Sequence, residues 1–105
     1  VAYAKMNIAV MDAFCATWKA KYTYNVLRPV TYIHKHMNHT DWKPLIVTPS
    51  HPEYPAAHAS LSMAAATALT NALGENVAFT DHSYDDLGFA PRSYKNLYET
   101  GREAG

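Results

Sequence analysis

PAAHASLSMAAATALTNALG, running from Pro55 to Gly74, is the stretch that decides the fold. From His58 to Leu73 it is dense in alanine and leucine, the strongest helix formers. Leu61, Ala65, Ala68 and Ala72 recur at steps of four and three, which puts them on one side of a helix. Gly74 is a natural stop. The pattern predicts a helix over 58–73.

Working outward, the lead-in to this helix is of a different kind. Pro44, Pro49, Pro52 and Pro55 each remove a backbone donor, so residues 38–57 read as an ordered loop. Within it only Leu45-Ile46-Val47 reads as a short extended piece. Pro29 suits the first turn of a short helix over Val30–Met37, and it biases Arg28 away from the α region. Residues 2–20 read as an amphipathic helix, with Ala4, Ile8, Met11, Cys15 and Trp18 expected on the buried face. Beyond Gly74, residues 75–91 read as a polar loop and Ser93–Glu103 as a last helix. The expected class is all-α, one helical domain over 1–105.

Composition agrees. The chain has 105 residues, 49% of them hydrophobic and 17% charged, which is globular rather than disordered. Lysine plus arginine and aspartate plus glutamate both number 9, so the net charge is zero. No broad basic field exists to attract nucleic acid, and no apolar run approaches the roughly 20 residues of a membrane span. Cys15, the one cysteine, is expected as a buried small hydrophobe. Val1 in place of Met, with no signal peptide, is expected of a processed or trimmed product.

Anion binding must therefore come from a few converging groups, and three features supply them. Lys21 and Arg28-Pro29 form a Lys-x6-Arg-Pro spacing. Pro55-Ala56-Ala57-His58 opens the alanine-rich helix. Trp42, Pro44, Thr48-Pro49 and His51-Pro52-Glu53-Tyr54-Pro55 lead up to that turn. A tetrahedral oxyanion needs donors from several directions. Arg28 offers a planar fork, Lys21 a point charge, and the helix start offers free N–H groups and a positive dipole end. His58 can give or take a proton near neutral pH. A lone Lys-x6-Arg spacing is more often a solvated surface pair; the ordered Pro55–His58 turn reverses those odds.

In this order the motifs resemble the first two of three signatures of the type-2 phosphatidic acid phosphatase superfamily. The proline-rich lead-in looks most like the bacterial branch near the vanadium-dependent haloperoxidases. The resemblance implies a partial helical bundle of that type. Lys21, Arg28, Ala56 and Ala57 are then the anion-binding positions and His58 the catalytic acid–base residue. It further implies a phosphate-like oxyanion or small phosphoester as ligand and vanadate as cofactor. Phosphomonoester hydrolysis or halide oxidation is expected in the complete protein, in a periplasmic or secreted setting. The second motif usually reads Pro-Ser-Gly-His, so Ala56 removes one neutral hydrogen bond, worth about 0.5–1.5 kcal/mol, and Ala57 loses the positive-φ freedom of glycine. The third motif supplies the histidine that attacks phosphorus or ligates vanadium. Arg92-Ser93 looks like its start, but Tyr98 stands at the histidine position. The chain is therefore expected to be the N-terminal part of the core and inactive alone. The alternative is a non-catalytic helical module that self-associates.

Other titratable clusters read as structural. His34 and His36 lie about 200° apart on a helix and cannot share an ion. His36 and His39, with Asp41 near, lack a further ligand at a known spacing. Asp81, His82, Asp85 and Asp86 lack the glycine and terminal glutamate of an EF-hand, so a solvated acidic loop is expected. Trp18, Tyr22, Tyr24 and Tyr32 are expected as core and rim aromatics.

Overall fold

The computed structural model describes residues 1–104. Helix α1 spans Ala2–Tyr24 and α2 spans Pro29–His36. A long loop follows. Helix α3 then spans Ala57–Leu73, strand β1 Phe79–Asp81, strand β2 Arg92–Tyr94 and helix α4 Leu97–Glu103. A 3₁₀ turn at Asp85–Leu87 lies between the strands. The chain is mainly helical, as expected.

The helix ends follow local chemistry. Asn25 takes the left-handed conformation with φ 48° and donates its N–H to Lys21 O, closing α1. Arg28 is extended, with φ −67° and ψ 141°, as the following proline requires. Gly74, with φ 100°, ends α3. The Asn96 side chain accepts the Glu99 N–H at the start of α4, and the Glu99 carboxylate accepts the Lys95 N–H.

Helix α3 lies between α1 and α4. The inner face of α1 is Ala2, Met6, Ala9, Val10, Ala13, Thr17, Ala20 and Lys21, again at steps of three and four. This corrects the expected stripe. Ala4, Ile8, Met11 and Cys15 face solvent, and of the expected residues only Trp18 is half-buried. Alanines make up half of this inner face, with Met6, Val10, Thr17 and Lys21 between them. In α3 the deepest positions are Ala66 and Thr70, one turn apart, beside rather than on the expected line; Ala72 is exposed. On the far side Gly101 of α4 meets Met63, where an added Cβ would stand 3.1 Å from the Met63 Cα.

The last helix begins at Leu97 rather than Ser93, because Arg92–Tyr94 pairs antiparallel with Phe79–Asp81. The cross-strand pairs are Phe79 with Tyr94, Thr80 with Ser93 and Asp81 with Arg92, apolar, hydroxyl and charged in turn. Leu45, Ile46 and Val47 form no strand and are exposed. Among the described residues no helix is long and apolar enough to cross a membrane.

Candidate oxyanion-binding site

Lys21 lies three residues before the end of α1 and is only 1% exposed. Its Nζ donates to Pro52 O at 2.7 Å and to Glu53 O at 3.1 Å, which leaves one of three ammonium protons free. Burial pushes its pKa below the ordinary lysine value, the Arg28 charge pushes the same way, and Glu53 opposes both.

Arg28 enters from the α1–α2 connection. Its Nε donates to His51 O at 2.7 Å and its Nη1 to the Glu53 carboxylate at 2.8 Å. Its Nη2 lies 2.9 Å from His51 Nδ1. A guanidinium only donates, so Nδ1 accepts and the His51 proton sits on Nε2. Three of five guanidinium protons are thus engaged and two remain.

One short segment, His51–Glu53, therefore ties both cations. Glu53 N donates to Val26 O at 2.9 Å, anchoring that segment to the chain just after α1. Trp18 packs against His51 with centroids 5.3 Å apart and stacks on Phe14 at 4.2 Å. These rings form an apolar wall beside the cations.

The start of α3 faces the same space. Ala56 precedes the helix in an extended conformation with no side-chain cap. The first helical bond runs from Ser60 N to Ala56 O, so the N–H groups of Ala57, His58 and Ala59 have no acceptor within the helix. Ala57 is helical and needs no positive φ, so replacing a glycine there costs no backbone strain. His58 is exposed at the mouth.

Lys21, Arg28, His51, Glu53, Ala56, Ala57 and His58 all line one hollow of about 370 Å³, with Phe14, Trp18 and Leu61 as its apolar side. It gathers one ammonium proton, two guanidinium protons and the free amides of a helix start around a space that suits a small anion. Sequence reasoning missed His51 and Glu53 as members of the site. The available signal was that two cations brought into an interior need acceptors, and the adjacent proline-fixed segment holds a carboxylate and an imidazole.

The remaining clusters are engaged elsewhere. The His34 ring Nε2 lies 2.6 Å from Trp42 O, and His36 packs on Tyr32. Asp81 accepts from the Ser83 hydroxyl and N–H, which hold its pKa below the usual carboxylate value. His82 pairs with Asp85 at 2.6 Å. Among the described residues no group of three or more His, Cys, Asp or Glu side chains is placed to hold a metal ion. Tyr98 is half-buried within α4, and Tyr22, Tyr24 and Tyr32 are exposed rim residues.

Comparison with known proteins places the fold in a family. The family model described as the VCPO second helical-bundle domain matches residues 1–103. A solved structure, the first bacterial vanadium-dependent iodoperoxidase, superposes with a TM-score of 0.87 at 39% sequence identity. The match covers 98% of this chain and 25% of that one, so the chain spans about a quarter of its relative's length. No curated protein matches. With nearly its whole length under one family description, this chain belongs to the vanadium haloperoxidase family as a second helical-bundle domain.

Proposed function

We propose that the hollow between α1, the His51–Glu53 segment and the start of α3 binds a phosphate-like tetrahedral oxyanion, vanadate in the complete protein. The observation that carries this reading is convergence: Lys21, Arg28 and the capless amino end of α3 border one cavity. The donor set fits the group, being rich in protons and, in Lys21 and Arg28, cationic, as an oxyanion requires.

In this reading Lys21 and Arg28 would each hold an oxygen of the anion and the Ala57 N–H would hold another. Ala56 contributes backbone alone. Vanadate, when bound, would supply a Lewis acid for the activation of peroxide toward halide. His58, exposed at the mouth, gives or takes the proton at its imidazole. Phe14 and Trp18 keep water from one side of the anion, which strengthens each hydrogen bond to it. The activity itself, halide oxidation rather than phosphomonoester hydrolysis, is proposed for the whole protein on the strength of the iodoperoxidase likeness. The same family resemblance supports a periplasmic or secreted setting.

Vanadate, phosphate or tungstate should raise the melting temperature of the complete protein, and Arg28→Ala should abolish the rise. Equal melting curves with and without all three anions would refute the reading. In the complete protein, His58→Ala should keep vanadate affinity within about threefold while lowering turnover by about 10²–10⁴-fold, the range of general acid–base catalysis. A second reading, a self-associating module, draws support from the apolar residues that α1 turns to solvent.

A further inference from the structure

We infer that Glu53 is a specificity-determining residue that tilts this hollow away from doubly charged phosphoesters and toward singly charged dihydrogen vanadate. The inference rests on the oxyanion reading above and deepens it.

The charges around the hollow can be enumerated. Lys21 on α1 and Arg28 before α2 are cations. His51 accepts from Arg28 through Nδ1. His58 on α3 sits at the exposed mouth, and the end of the chain after α4 brings Ala104. Among the described residues Glu53 is the one carboxylate lining the space. It lies 2.8 Å from the guanidinium that the anion must also use. The Arg28 side chain is 18% exposed and that of Glu53 43%, so water screens the carboxylate only in part.

With Glu53 ionised, Lys21, Arg28 and Glu53 together carry one net positive charge; without it they carry two. An anion in this space feels Glu53 as a repulsion proportional to its own charge. A dianion therefore suffers twice the repulsion of a monoanion. At neutral pH monomeric vanadate is largely singly charged, whereas a phosphomonoester, with a second pKa of about 6, is largely doubly charged. Glu53 thus separates two ligands that are nearly the same shape.

A purely structural Glu53 makes a different prediction. Glutamine can still accept the Arg28 hydrogen bond through its amide oxygen, so Glu53→Gln keeps the tether and removes the charge. The test is calorimetric titration of wild type, Glu53→Gln and Glu53→Asp with micromolar orthovanadate and with molybdate, a dianion of similar size. The molybdate-to-vanadate affinity ratio should rise about tenfold in Glu53→Gln, as the doubled Coulomb gain of the dianion requires. It should stay within about twofold of wild type in Glu53→Asp. An unchanged ratio in a folded Glu53→Gln protein, or a parallel loss of both anions, would overturn the inference while leaving the oxyanion site standing. No binding of either anion by wild type would overturn both. If Glu53→Gln does not fold, Glu53→Ala, which also removes the charge, is read by the same ratio, and an unchanged ratio there would equally overturn the inference.

Discussion

Lys21 is a cation at 1% exposure, and burying a charge is costly unless acceptors surround it. The carbonyls of Pro52 and Glu53 supply them. Because burial holds its folded pKa below 10.5, the unfolded chain binds more protons between the folded value and 10.5. Stability attributable to Lys21 therefore rises with pH across that window. Melting curves of wild type and Lys21→Met should show wild type gaining on the variant as pH is raised toward 10.5; a constant difference would contradict the burial account. At this scale the cations and the helix-opening histidine were legible, since few residue types can do their work. Their partners were not, because the carbonyls of Pro52, Glu53 and His51 are backbone atoms that any residue carries.

At the scale of elements, α3 was the most legible, with its end at Gly74 and its start found within one residue. Its contact with α4 depends on Gly101, where a Cβ would press on the backbone of Met63 at 3.1 Å. Gly101→Ala should gain up to about 1 kcal/mol of helix propensity yet destabilise overall, with overpacking costing about 1–3 kcal/mol. Denaturant titration gives the sign, and a stabilised variant would refute this packing. The end of α4 is tied to β2 by Glu103, which accepts from the Tyr94 hydroxyl and from Arg92. The Tyr94 bond first, then Arg92, holds the Glu103 pKa below 4.5. A depressed carboxylate contributes stability above its unfolded pKa and loses it as pH falls through the folded value. Glu103→Gln should therefore flatten the acid limb of the stability curve below about pH 4.5. The two strands escaped sequence reading because three residues each are too few to show alternation, and their pairing spans a ten-residue connection.

The whole molecule is a slab of 50 × 36 × 19 Å with a radius of gyration of 17.1 Å. A compact globule of this length would have about 13 Å. The thinnest extent is about two helix diameters, which explains why, among the described residues, Ala66 is the one buried hydrophobic side chain. Ile8 and Met11 remain 63% and 61% exposed, with Phe14 and Cys15 on the same side of α1. Such contiguous apolar surface favours association. Sedimentation at rising concentration should show oligomers of the isolated chain, and Ile8→Glu with Met11→Lys should reduce them without altering the helical circular dichroism. A monomer at all concentrations would show that this face is tolerated bare.

Sequence alone determined the helical class, the span of the alanine-rich helix and the identity of the candidate anion-binding groups. Propensity, proline placement and the requirements of oxyanion chemistry are all local and leave marks on residue type. Tertiary structure alone decided which face of α1 turns inward, that a half-alanine face rather than the expected stripe makes that contact, and that Glu53 and His51 sit on the guanidinium. Those outcomes depend on how closely two backbones approach and on where a loop's carbonyls fall in space, quantities that no spacing along the chain encodes.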